Sequence, residues 1–169
     1  MEHAWSCRCC GKKFNTLPLD LACEAPDHWA QMPESERGAR SRIDSDLCVI
    51  EDETFFVRGC LEIPIIDLNN HHFTWGVWVS VSRQSFERVL ELWNAPVVEN
   101  EPPKFGWFCN KIALYPSTIN LKTNLHLRGG NARPFIELEP TDHPLAVEQR
   151  QGISLRRVEE IVAGLLPRH

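Results

Sequence analysis

The order of the elements predicts an α+β fold, a mostly antiparallel sheet with flanking helices and a small cysteine-containing N-terminal appendage. Three observations carry this. From residue 46 onward, apolar and polar residues alternate with the period of two that a half-buried strand requires. Glu51-Asp52-Glu53 and Gly129-Gly130-Asn131 stand between such runs as hairpin turns. Helical stretches fall between and after the strands, and do not alternate with them one by one as in a parallel α/β fold.

Residues 1–45 read differently. They hold four of the seven cysteines, a helix-prone stretch from Asp27 to Arg42, prolines at Pro26 and Pro33, and almost no alternation. This segment is expected to pack on the sheet as an appendage, making one compact domain with residues 46–169. Strands are expected over Leu47 to Glu51, Thr54 to Ile66, Phe73 to Ser82, Phe105 to Leu114, Thr118 to Arg128 and Arg133 to Glu139. Ser82 or Ser85 caps an amphipathic helix bearing Phe86, Val89, Leu90 and Trp93 on one stripe. Residues 95–104 form an acidic, proline-rich loop. Thr141 or Asp142 is expected to cap a helix with Pro144 in its first turn and Gly152 at its stop, and Ser154 to cap a last helix reaching about Leu166.

Side-chain parity sorts the strands into two faces. The core face collects Phe55, Val57, Leu61, Ile63, Phe73, Trp75, Val77, Val79, Ile119, Leu121, Leu125, Leu127, Ile136 and Leu138. The opposite face collects Arg58, Glu62, Trp78, Ser80, Lys122, Asn124, His126, Glu137 and Glu139, with Trp78 as the one tryptophan expected to leave the core. Such a face serves either as a solvated sheet surface laced with cross-strand ion pairs or as a binding surface. The ligand-binding candidates are Arg58, Trp78, Lys122, His126, Glu137 and Glu139.

Composition limits the function. The 169 residues carry 23 acids and 18 bases, a net charge of -5 that advertises no phosphate-binding face. Apolar runs fall well short of the roughly 18 to 20 residues that span a bilayer. The start, MEHAWSCRCC, lacks the basic and apolar regions of a signal peptide, so a cytoplasmic location is expected. The sequence holds no GxSxG, HExxH, Walker or dinucleotide-binding motif.

Cys7-Arg8-Cys9-Cys10-Gly11 has the form of a zinc knuckle, in which two thiolates converge on one ion. Cys23, His28 and Cys48 are the available partners. The metal set expected is Cys7, Cys10 and Cys48 around a structural zinc, with the fourth ligand open. Further on, Glu137-Leu-Glu139-Pro-Thr-Asp142-His143 brings carboxylates and a histidine to a helix entrance, either as a cap or for acid/base work.

Together Cys7-x-x-Cys10-Gly11, Leu17-Pro18, Asp46 to Ile50, Phe55 to Pro64, Trp75-Gly-Val-Trp78-Val-Ser, Phe105-Gly-Trp107, Leu121-Lys122 and Ile136 to Ala146 resemble the bacterial proteins grouped as domain of unknown function 2199. The resemblance spans nearly the whole chain and implies a single-domain bacterial protein, with no activity attached. Members carry a histidine three residues after the knuckle glycine, where this chain has Phe14, and Cys23 is particular to this chain. Two functions are therefore expected in competition. One is a binding module that recognises a protein or small ligand through the polar face, as an immunity protein does a basic toxin. The other is a hydrolase or transferase for a polar metabolite, with His126 or His143 as acid/base and Lys122 or Arg58 holding an anion.

Overall fold

A computed structural model describes residues 4–6 and 13–165. In chain order the elements are β1 (Trp5–Ser6), β2 (Lys13–Phe14), β3 (Asp20–Ala22), α1 (Asp27–Ala30), α2 (Glu34–Arg40), β4 (Ser41–Ile43), β5 (Leu47–Ile50), β6 (Thr54–Pro64), β7 (His72–Val81), α3 (Arg83–Leu92), β8 (Lys104–Phe108), β9 (Lys122–His126), β10 (Phe135–Leu138), α4 (Pro144–Gln151) and α5 (Leu155–Leu165). The architecture is α+β. Among the described residues no helix is long and apolar enough to cross a membrane.

Five strands close on themselves. β6 runs antiparallel to β7 from Phe55 opposite Val81 to Pro64 opposite His72, and β7, β8, β9 and β10 follow as antiparallel neighbours. β10 then returns to lie parallel to β6, with Phe135 opposite Cys60 and the Cys60 N–H donating to Pro134 O at 2.8 Å. Closure demands a close approach of backbones, and Gly59 supplies it: a Cβ there would stand 2.5 Å from Ile136 Cγ1 and 2.9 Å from Pro134 O. β3 adds a second parallel ladder at the edge of β7, while β5 and β4 extend the sheet beyond β6. Neither parallel pairing was foreseen from the sequence.

Turn chemistry follows the sequence. Glu51 and Asp52 both have φ 53°, and Glu53 N–H donates to Ile50 O at 3.1 Å, the pattern of a type I′ turn whose twist matches the flanking strands. Gly129, Gly130 and Asn131 are left-handed in succession and turn β9 into β10.

The inner face holds the main core. Val57, Leu61, Ile63, Phe73, Val77, Val79, Leu125 and Ile136 have no solvent exposure, and Trp75 has 3%. Phe86 and Val89 of α3, Leu145 and Ala146 of α4, and Val158, Ile161 and Val162 of α5 join the same cluster, with Phe86 tilted against Phe55 at 5.0 Å between rings. α4 also finishes β10: the Gln149 side chain accepts from Leu138 N–H and donates to Ile136 O, both at 2.8 Å. A side-chain amide there does the hydrogen bonding of a neighbouring strand.

The observed strands are shorter than expected at β8, β9 and β10, so Ile119 and Leu121 lie outside any strand, and Leu121 and Leu127 only flank the core. The cap of α4 is also corrected. His143 itself is the N-cap: its Nδ1 accepts from Leu145 N–H at 3.1 Å, while Nε2 donates toward Pro116 O at 3.0 Å. Both ring nitrogens are thereby committed to holding the helix entrance, where Thr141 or Asp142 had been expected.

Candidate functional site

The outer face of the ring divides in two. Over β5, β6 and β7 it is covered by the segment from Cys23 to Ile43. Cys48, Phe56, Trp78 and Cys109 form a second buried cluster there, packed against Cys23, Trp29, Ile43 and Ile50. Trp78 has no solvent exposure, and its Nε1–H donates to Cys23 O at 3.0 Å. This overturns the expectation of an exposed Trp78. Parity did place it opposite Trp75, but the outer face is roofed at that point.

Asn110 fastens the roof. Its Oδ1 accepts from Trp78 N–H at 2.8 Å, and its Nδ2 donates to Ala25 O at 2.9 Å and Asp27 Oδ1 at 3.2 Å. Lys111 N–H donates to the other Asp27 oxygen at 2.9 Å. Arg58, opposite Trp78 in the ladder, is half-buried and sends its NH1 to Ser45 O at 3.2 Å. It lies on the roofed side, away from the other charged candidates.

Cys48 sits within this cluster, where burial pushes its thiol up to about 12; burial likewise raises Cys23 to about 11. Among the described residues no group of three or more His, Cys, Asp or Glu side chains is placed to hold an ion. Cys7 and Cys10 lie outside the described residues.

Over β8, β9 and β10 the outer face is open. The ladders place Trp107 beside Lys122, Phe105 beside Asn124, Asn124 beside Glu137 and His126 beside Phe135. Glu139 follows β10 and donates its N–H to Lys122 O at 2.9 Å. His126 Nε2 is 3.2 Å from Glu137 Oε1, the diagonal contact that a two-residue offset allows, and its ring tilts over Phe135 at 5.8 Å. Beside them Arg128 pairs with Glu62 at 2.7 Å. Of the six binding candidates, Lys122, His126, Glu137 and Glu139 thus share one patch, and His126 and Glu137 are joined within it.

Two aromatic residues complete the patch: Phe105, which the sequence assigned to neither face, and Trp107, expected in the core. Phe105 is 43% exposed and Trp107 41%, and their rings meet edge to face at 5.0 Å. Among the described residues Trp107, not Trp78, is the tryptophan that stands exposed. Its signal was present as Gly106, a glycine inside a strand, whose Cβ would meet Ser80 O at 3.0 Å.

The patch is bordered by shallow grooves. One of about 370 Å3 includes Glu62, Phe135, Glu137, Gln149 and Arg150 in its walls. Another of about 360 Å3 lies between Phe105, Trp107, Ser80, Ser85 and Glu53. Lys122 and His126 stand on open sheet between them. His126 is paired with Glu137 on the surface, and His143 is engaged at the helix cap. The arrangement brings together flat aromatic area, one ammonium, two carboxylates, an imidazole and an amide on a three-stranded surface.

Comparison with known proteins agrees with the resemblance drawn from the motifs. No curated protein and no solved structure matches the chain. Residues 6–153 match the family model described as uncharacterized protein conserved in bacteria (DUF2199), and the chain belongs to that family.

Proposed function

We propose that this protein is a non-enzymatic binding module of the bacterial cytoplasm that docks a protein partner on the open outer face of β8, β9 and β10. The observation that carries the reading is the exposed Phe105–Trp107 pair next to Lys122, Asn124, His126, Glu137 and Glu139. Rigid aromatics at the centre of a patch with a polar rim are the composition of interface hot spots. A soluble monomer has little reason to leave two large aromatic rings wet side by side. The excess of five acids suits a basic partner, as in an immunity protein, because opposite charge speeds encounter. A hydrolase or transferase would instead gather its acid/base residues in a deep cavity. Here His126 and Glu137 meet on an open surface.

The test is site-specific photo-crosslinking in a bacterium of this family. A crosslinking residue at Asn124 is expected to capture one discrete partner, and the same residue at exposed Arg156 on α5 is not. The captured partner should be lost on Trp107→Ala. An identical product pattern from both positions would remove the docking reading.

A further inference from the structure

The open face has a continuation around α3. The groove at Phe105 and Trp107 shares Ser85 with a neighbouring groove of about 580 Å3 along α3, walled by Glu87, Arg88, Glu91, Glu101 and Lys104. Two basic and four acidic side chains therefore line the pair of grooves, counting Glu53 at the near end.

The bases are already taken. Arg88 grips Glu101 through two bonds, Nε to Oε1 at 3.0 Å and NH2 to Oε2 at 2.9 Å, and reaches Glu91 at 2.8 Å. Lys104 holds Glu101 at 2.7 Å. The Arg88 hydrogen bonds, with Lys104 behind them, keep the Glu101 carboxyl down at about 2, so this cluster is internally neutralised. Glu53 and Glu87 remain. Both are exposed, and among the described residues neither forms an ion pair. An aromatic floor with the Glu53 carboxylate at its rim, and that of Glu87 in the groove that adjoins it at Ser85, has the complement of a cation carried on an apolar stem.

We infer that the groove between β8 and α3 receives a lysine or arginine side chain of the protein partner, seated on Phe105 and Trp107 and countered by Glu53 and Glu87. The inference rests on the docking reading and adds the partner's chemistry. Ring faces attract cations through their quadrupole, and arginine also stacks flat on them. Lys122 stands across Trp107 on the β9 side, so the basic residue enters from the α3 side, and a carboxylate of the partner would meet Lys122.

The test uses the intact protein and a capped Gly-Arg-Arg-Gly peptide, read by the indole N–H signals of the tryptophans in an NMR titration. The Trp107 signal is assigned by its loss in Trp107→Phe. It is expected to shift saturably with the arginine peptide and not with a Gly-Glu-Glu-Gly peptide. Replacing both Glu53 and Glu87 by Gln should weaken binding by roughly fivefold, and raising salt should do likewise. Lys122→Ala should leave the affinity unchanged or tighten it. A Trp107 signal that stays still at 10 mM peptide, or that moves equally with the glutamate peptide, overturns the basic occupant. A partner crosslinked at Asn124 in the face of that result would leave the docking reading standing and remove this one alone.

Discussion

Trp78 is the largest side chain packed between the sheet and the segment from Cys23 to Ile43, and truncating it to alanine should show how much that packing holds. A tryptophan buries about 150 to 250 Å2, which at about 25 cal/mol per Å2 amounts to roughly 4 to 6 kcal/mol of transfer free energy. Core truncations of this size cost about 3 to 5 kcal/mol once partial collapse is allowed for. The variant also strands Cys23 O, which accepts from Trp78 Nε1–H at 3.0 Å, for about 1 kcal/mol more. The expected loss for Trp78→Ala is therefore about 4 to 6 kcal/mol, enough to unfold a domain of ordinary stability or to leave it marginal. Trp78→Phe keeps most of the packing and gives up the hydrogen bond, at about 1 to 2 kcal/mol. Guanidinium denaturation measures both, and limited trypsin digestion locates the damage. In the phenylalanine variant, cleavage at Arg37, Arg40 and Arg42 should accelerate before cleavage at Arg128 or Arg133, because the roof detaches before the ring opens. A loss under about 1.5 kcal/mol for the alanine variant, with the N-terminal segment as resistant as in the parent, would refute the packing described for this residue.

Two further outcomes test the closure and the thiols. Gly59→Ala drives a Cβ to within 2.5 Å of Ile136 and 2.9 Å of Pro134 O, and should cost about 3 kcal/mol by denaturation, whereas Gly38→Ala in exposed α2 meets nothing within 4 Å and should gain about 0.5 to 1 kcal/mol. Cys48 is held protonated by burial up to about 12, above the thiol's usual range of about 8.5 to 9, so its contribution to stability is fully present below pH 9 and is lost as pH rises toward 12. The denaturation midpoint should fall over that window, and Cys48→Ala should flatten the fall; a midpoint with the same pH slope in both proteins would show the thiol to be wet.

How much was legible in the sequence depends on which physical signal each part leaves. The inner face of β6 and β7 was readable because its residues alternate strictly with others, and a pleated strand turns that alternation into a side. Phe55, Val57, Leu61 and Ile63, with Phe73, Trp75, Val77 and Val79, are buried as the period required. The hairpin turns were readable because left-handed positions draw on few residue types, here Asp52 in the first turn, although Glu51 beside it is not such a type, and glycine at Gly129-Gly130 in the second. The parallel return of β10 to β6 was not, since a closing ladder depends on strand tilt around the whole ring and leaves no local pattern.

Parity assigns a side chain to a face but is silent on what covers that face, and the misreadings at the site come from this gap. Trp78 sits among polar-parity residues, yet Cys23, Trp29 of the four-residue α1 and Ile43 roof it with a segment whose helix is too short to show periodicity. Phe105-Gly-Trp107-Phe108 carries the opposite ambiguity: with aromatics on both parities, no alternation marks which ring goes in. The structure resolves it as Phe108 buried, Phe105 and Trp107 outside. An aromatic placed outward on a strand whose alternate residues already fill the core contributes less to folding by its burial. Trp107→Ala should accordingly cost about 2 kcal/mol, at most about half of the 4 to 6 expected for Trp78→Ala, although both residues are tryptophans on the same outer face. That difference separates a side chain required by the fold from one whose presence is explained by what binds there.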